Sequence, residues 1–350
     1  MTTTGAPRPS VVPGSRPAAT IDEVAALAGV SRATVSRVVN GSTHVSPQAV
    51  TAVQRAVEEL RYVPNRVARS LVTRRTDTIA LVLSELDTRV FSDPFFASIV
   101  RGVSTALAAT DLNLVLLTAR DAREQEKVGR YVRQGHVDGV ILMSLHGDDL
   151  LPDLLGQAGV PLVLSGRPLD GRAVAYVDAD NTGGAATATA HLLGSGRRCI
   201  GTVTGPLDMI AGVDRYAGYR QALERAGRSL RPELVATGDF TPEGGRRAAE
   251  ELLARAPDLD GLFVASDPMA IGALAALRQA GRSVPGDVAV VGFDDAVAAR
   301  TSDPPLTTVA QPLDEMTRLM TELLLRQVAG VASEVETQVC PTRLVRRESA

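Results

Sequence analysis

Residues 20–40 read TIDEVAALAGVSRATVSRVVN, and this stretch decides how the first part of the chain folds. Thr20 followed three positions later by Glu23 is a capping box: the hydroxyl accepts from the Glu23 amide, and the Glu23 carboxylate reaches back to the Thr20 amide. A first helix, IDEVAALA, therefore starts at Ile21 and stops at Gly29, a residue suited to the left-handed turn that closes a helix. Ser31 can cap a second helix. In it Val35 and Val38 fall three apart on one face, while Arg32, Ala33, Ser36 and Arg37 form a stripe on the other. Ser46 then caps a third helix with Pro47 at its first position, and Val50, Val53, Val57 and Leu60 share a face. Residues 20–62 thus read as a domain of three short helices around a small apolar core.

A short positioning helix, a glycine turn and a second helix with one apolar and one polar face make a helix-turn-helix. The polar stripe sits in the N-terminal half of the second helix, the part that reaches base edges in a DNA groove. Arginine can bond guanine O6 and N7 together, and serine or threonine can bond bases or phosphates. The plainer alternative is an amphipathic surface helix whose arginines are merely solvated. Charge favours the first reading. Residues 1–76 hold ten arginines against Asp22, Glu23, Glu58 and Glu59, a net +6, whereas the whole chain is −3, which leaves −9 on residues 77–350. A basic head on an acidic body points to an anionic partner for the head alone.

Working outward, 350 residues suffice for two or three domains. Residues 1–19 carry Pro7, Pro9, Pro13 and Pro17 and lack the apolar centre of a signal peptide, so they read as a flexible tail and a cytoplasmic location is expected. Cys199 and Cys340 make neither a disulfide framework nor a zinc site, and the four histidines have no ligand spacing, so neither metal nor cofactor is expected. No apolar run approaches the roughly 18 residues of a membrane helix. Residues 63–76 form a basic connector in which a short helix is expected from about Asn65 to Leu71. From residue 77 onward, strands over 78–83, 113–117, 139–143, 161–164, 200–204, 261–264 and 288–292 alternate with helices near 95–109, 121–134, 182–194, 213–226, 242–255, 268–280 and 312–328. Such alternation implies an α/β body of parallel sheets with helices on both faces. Its size allows two lobes with a ligand cleft at the carboxyl ends of the strands.

At this point the chain resembles the LacI/GalR family of bacterial transcriptional repressors. Residues 20–71, TIDEVAALAGVSRATVSRVVNGSTHVSPQAVTAVQRAVEELRYVPNRVARSL, look like its headpiece from end to end. The likeness continues through YVDADNTGG, RYAGYRQAL, LFVASDPMAIGAL, VPGDVAVVGFDD and PPLTTVAQP, and spans about residues 20–345. It implies a helix-turn-helix headpiece and hinge helix joined to a two-lobed periplasmic-binding-protein-like body over 77–345. It also implies a homodimer on a pseudo-palindromic operator of double-stranded DNA. Carried over residue by residue, Arg32 and Ala33 choose the operator sequence and Arg37 contacts bases. Thr34, Asn40, His44 and Ser46 match phosphate or base contacts, and Thr20, Ser31, Ser36 and Asn65 lie in the same contacting segments. Leu71 matches a leucine wedged into the minor groove at the operator centre, with Ala68 beside it; the alternative for Leu71 is a linker residue packed on the body.

For the body the resemblance implies a small-molecule effector. Ser84 and the FSDPFF stretch, with Asp93 and Phe95 or Phe96, would line one wall. Arg215, Phe240, Asp294 and Gln311 match ligand contacts, and Ser266 stands where the family more often has Asn. Carboxylate, guanidinium and amide groups suit vicinal hydroxyls, and a phenyl face suits the C–H face of a sugar ring. Segments 88–104 and 135–149 are similar to members that respond to cellobiose or related oligosaccharides, so a cellobiose-like disaccharide is the expected ligand. Structural roles stay open here: Asp294 could cap a helix, Arg215 could hold a surface ion pair, and Phe95 could be core.

Enzymatic function is not expected. There is no G-x-G-x-x-G after the first strand, no G-x-x-x-x-G-K-[ST], no G-x-S-x-G and no metal-ligand cluster. A free sugar-transport protein would have no use for residues 20–71. Within the family, an activator and a regulator with a purine-like corepressor remain the alternatives. The C-terminus lacks the leucine heptads of a tetramerising coiled coil, so a dimer is expected.

Overall fold

The computed structural model describes residues 19–39, 44–62, 75–331 and 334–350. The chain separates into two compact units, residues 1–76 and 77–350. Asn40, Asn65, Ala68 and Leu71, the hinge helix and residues 1–18 of the expected tail lie outside the described residues.

The head consists of α1 (Ile21–Ala28), α2 (Arg32–Val39) and α3 (Pro47–Leu60). Each start has the cap its sequence implies. Thr20 Oγ1 accepts from the Glu23 amide at 3.3 Å, and the Thr20 amide donates to Glu23 Oε2 at 2.6 Å. Ser31 Oγ accepts from the Thr34 amide at 3.1 Å, and Ser46 Oγ accepts from the Ala49 amide at 3.3 Å. Gly29, at φ +67°, satisfies the last carbonyls of α1 in the left-handed region. Val24, Ala25, Val35, Val53 and Ala56 are buried at the centre, with Val38, Val57 and Leu60 packed around them. Val50 is half-buried and is not part of that cluster.

The body holds two six-stranded sheets. In lobe 1 the order is β11-β5-β4-β3-β1-β2, from β1 (Thr78–Leu83), β2 (Asn113–Thr118), β3 (Gly139–Met143), β4 (Leu162–Ser165), β5 (Ala175–Ala179) and β11 (Thr337–Cys340). Every pair in it is parallel, with Thr78 opposite Asn113 and Ile79 opposite Gly139. Helices α4 (Asp87–Ser92), α5 (Pro94–Leu107), α6 (Ala122–Arg133), α7 (Leu151–Ala158) and α13 (Leu313–Val328) belong to this lobe. One face of its sheet buries Ile79, Leu81 and Ile141 against Phe96, Ile99 and Met320, and the other buries Ala80, Val82 and Leu142 against Val128, Leu151 and Leu155.

Lobe 2 has the order β12-β10-β9-β8-β6-β7, from β6 (Ile200–Thr204), β7 (Val235–Thr237), β8 (Gly261–Val264), β9 (Ala289–Asp294), β10 (Thr307–Ala310) and β12 (Arg343–Val345). Only β12 runs antiparallel to its neighbour. Its helices are α8 (Asn181–Gly194), α9 (Ile210–Arg225), α10 (Pro242–Arg255), α11 (Asp267–Gln279) and α12 (Val297–Thr301). The last residues belong to the fold: Ser349 is fully buried, its Oγ accepting from the Thr307 amide at 2.8 Å and donating to Val290 O at 2.6 Å.

The chain crosses between lobes three times, at Asp180, at Gln311–Pro312 and at Pro341–Thr342. The first and third crossings are tied together, because the Asp180 amide donates to Cys340 O at 2.8 Å and Thr342 Oγ1 donates to Asp180 O at 3.3 Å. Strand order reverses beside β1 in lobe 1 and beside β6 in lobe 2, and at such switch points the loops leaving the strands' carboxyl ends diverge and open a crevice. Strands β5, β7, β10, β11 and β12 and helices α4, α7 and α12 are additions to the sequence reading. Most are short, and β11 and β12 make sense only through partners 161 and 37 residues away, Thr337 opposite Tyr176 and Thr308 opposite Val345.

Candidate functional site

A cavity lies between the lobes at the carboxyl ends of β1, β3, β4, β5, β6, β8, β9 and β10. Asp93, Phe95, Arg215, Phe240, Ser266, Asp294 and Gln311 all line it. Its floor is a polar cluster around Arg215, which α9 carries and which is 5 % exposed. The Arg215 guanidinium donates through Nε to Asn181 Oδ1 at 2.8 Å and through Nη1 to Ala265 O at 2.6 Å, and Nη1 stands 3.3 Å from Asp294 Oδ1. It also lies 3.8 Å over the Phe293 ring. Gln311 Nε2 donates to Asp294 Oδ1 at 2.7 Å. Burial is the largest influence on the Asp294 carboxyl and pushes its pKa up to about 6, with Arg215 opposing and Asp93 adding to the rise. Burial also lowers Arg215 against the pull of Asp294, Asp178 and Asp267.

The other expected residues take distinct places. Asp93 caps α5 by accepting from the Phe95 amide at 3.0 Å, and burial raises its pKa. Ser266 is a cap as well, its Oγ accepting from the Met269 amide at 3.4 Å at the start of α11. Phe240 is 5 % exposed, and its ring is already faced by Arg89 at 4.9 Å and by Arg215 at 5.9 Å. Two expectations are corrected. Ser84 does not line the cavity: it is buried beneath it, donating to Ala119 O at 3.4 Å. Phe96 belongs to the lobe 1 core, edge-to-face with Phe95 at 5.5 Å between centroids. Neighbours on a helix point about 100° apart, so only one of the two phenyls can face the cavity.

Sequence reading missed Arg89, Ser144, His146, Asp149, Arg167, Arg172, Asp178 and Asn181, all of which line the cavity. Asp178 gathers the loop after β4 and the start of α8, accepting from the Arg167 amide at 3.0 Å and from Asn181 Nδ2 at 3.0 Å. His146 places Nδ1 2.8 Å from Asp208 Oδ2 and Nε2 3.9 Å from Glu85 Oε2. Glu85, followed by Asp208, pushes the imidazole up to about 9, so it is a cation at neutral pH. Burial acts to raise Glu85, but His146 and Arg89 outweigh it and hold that carboxyl below its usual range. The signal that could have found these residues is positional, since all but Asp178 lie in the loop or helix start that follows a strand, and Asp178 is the next-to-last residue of β5. Ser144, Phe240 and Asp294 share a further mark: their φ angles are +59°, +62° and +114°, a region costly for residues with a Cβ and associated with functional sites.

In the head, Arg32, Ala33 and Arg37 are exposed on α2, Ser36 and Thr34 are half-buried, and Val35 is fully buried. Arg32 Nε lies 3.8 Å from Asp22 Oδ1 at the exposed surface. Ser31 and Thr34 share a hydroxyl–hydroxyl bond of 2.8 Å. Thr20, Ser31 and Ser46 act as helix caps, and His44 and Ser46 are exposed just ahead of α3.

A head of this kind in one chain with a two-lobed α/β body defines a helix-turn-helix regulator with a periplasmic-binding-protein-like sensor. Residues 20–65 match the model of the bacterial regulatory proteins of the lacI family, and residues 189–350 match the periplasmic binding protein-like domain. The chain belongs to the LacI family. It is 52 % identical over 332 residues to the HTH-type transcriptional regulator CelR of Thermobifida fusca, covering 94 % of this chain and 98 % of that protein. The solved complex of the transcriptional regulator CelR with cellobiose is 50 % identical, with a TM-score of 0.78 over 95 % of this chain and all of that one. The lac repressor dimer bound to operator and the anti-inducer ONPF is 28 % identical, with a TM-score of 0.82 over 95 % and 99 % of the two chains.

Proposed function

We propose that this LacI-family regulator is a repressor of sugar-utilisation genes, released from a pseudo-palindromic operator when a cellobiose-like disaccharide enters the cleft between the lobes of its body. It acts as a cytoplasmic homodimer, without catalysis or a cofactor. The observation that carries the sugar reading is the charge balance of the cavity. Arg89, Arg167, Arg172, Arg215 and His146 face Asp93, Asp149, Asp170, Asp178 and Asp294, among apolar walls that include Phe95, Leu169, Met209 and Ile210. An anionic ligand would want an excess of cations. Paired carboxylates and guanidiniums instead offer acceptors and donors together, which matches hydroxyls that both give and take hydrogen bonds. The named ligand of the CelR complex, cellobiose, agrees with that chemistry.

On the DNA side, Arg37 and Arg32 are the base readers of this proposal and Ala33 is the small neighbour that sets operator choice. Thr34, Asn40, His44 and Ser46 serve phosphates or bases. Leu71 and Ala68 form the minor-groove part, and Asn65 is a further DNA contact. The test is fluorescence anisotropy on a duplex selected from random DNA, titrated with cellobiose, other disaccharides, monosaccharides and purines. Release by a disaccharide at micromolar to millimolar levels is expected. Tightening by a purine would replace induction with corepression, and no response to any sugar would remove the effector half of the reading.

A further inference from the structure

Two ion pairs cross the cleft, and both end on the beginning of α9. Asp208, two residues ahead of that helix, meets His146 of the loop after β3 at 2.8 Å. Asp214, in its second turn, meets Arg167 of the loop after β4 at 2.6 Å. Neither aspartate lines the cavity, whereas the next residue, Arg215, forms its floor. Helix α9 and the two residues ahead of it thus carry the floor contact and both pairs that cross the cleft. The lobe 1 ends are themselves anchored. His146 is held by Glu85, and its amide donates to Asp149 Oδ2 at 2.8 Å, while the Arg167 amide is held by Asp178. The Asp214 carboxylate is only 14 % exposed and Asp208 is 54 % exposed, so the Arg167 pair is the better shielded of the two.

We propose that Asp208 and Asp214 are positioning residues that latch the two lobes together through His146 and Arg167 and thereby set effector affinity without touching the effector. Closing the cleft makes both pairs, and opening it breaks both. An occupied cavity therefore gains their attraction in addition to its own contacts, and release must break them first, so the latch acts chiefly on the dissociation rate. This inference rests on the sugar-effector reading for its binding readout, but not for its conformational one.

The test compares full-length wild type with Asp208→Ala, Asp214→Ala and the double variant. Spin labels on Gln157→Cys in lobe 1 and Glu224→Cys in lobe 2 report the interlobe distance without sugar, and calorimetry and stopped-flow report cellobiose binding. Each single variant is expected to populate a longer interlobe distance and to weaken cellobiose binding by about 3- to 10-fold, mainly through faster release, with a larger loss in the double variant. Unchanged distances, with or without a loss of affinity, would overturn the latch. Longer distances in a protein whose wild type binds no cellobiose would keep the latch and remove the sugar reading.

Discussion

Asp294 shows how a single buried carboxylate can make effector binding depend on pH. Its raised pKa, about 6, reflects burial first, set against Arg215, the Gln311 bond and Arg89, with Asp93 adding negative charge nearby. Hydroxyl groups donated to the ionised form would favour that form further, so the bound protein holds fewer protons than the free one. Affinity must then rise with pH through about 6 and fall as pH drops below it. Calorimetry with cellobiose between pH 5 and pH 8 should show this slope, and Asp294→Asn should flatten it. An identical slope in the variant would assign the titration to Asp93 or Asp178, the other cavity carboxyls that burial raises. Asp294→Ala should keep operator affinity while abolishing the effector response, since it strips the partner from a buried guanidinium in the cleft and leaves the head alone. In the head, Arg37→Ala should cost about 1–3 kcal/mol on the operator and much less on random duplex. Equal losses on both duplexes would reduce Arg37 to a phosphate contact.

At the scale of elements, close helix packing in lobe 2 depends on missing side chains. A Cβ on Gly272 of α11 would collide with the Pro242 carbonyl oxygen at the start of α10, and one on Gly245 of α10 would strike the Met269 backbone. The obstacles are backbone atoms, so no rotamer change relieves them. Alanine is the better helix former by about 1 kcal/mol, yet Gly272→Ala should lower the stability of the body by about 1–3 kcal/mol, because the overlap exceeds the propensity gain. Urea unfolding followed by circular dichroism checks this, and a stabilised variant would show that α10 and α11 can slide apart freely. The same scale explains the two corrected residues. Ser84 directly follows β1 and is buried, and Phe96 is buried in the lobe 1 core one position after Phe95, which packs only at that core's edge. A phase error of one residue is enough to bury either side chain.

For the whole molecule, a ligand that binds only the folded body stabilises it by mass action. Cellobiose at about 100 times its Kd should add about 2.7 kcal/mol to the body's unfolding free energy. Differential scanning calorimetry should show the rise in wild type and its loss in Asp294→Ala; a rise that survives the substitution would place the sugar elsewhere. The head was legible from residues 20–62 because everything that specifies it is local. Its caps at Thr20, Ser31 and Ser46, the turn at Gly29, and valines spaced for one helix face all act within a few residues of where they stand. The alternation of the body was legible for the same reason, each strand and helix carrying its own period. What the tertiary structure alone decided is which further side chains meet in the cleft and how they pair across it. Its walls run from Arg89 to Met316, and the pairs His146–Asp208 and Arg167–Asp214 join residues 62 and 47 positions apart. No local pattern encodes such meetings, because they follow from strand order and the three lobe crossings, which bring distant strand ends to one crevice.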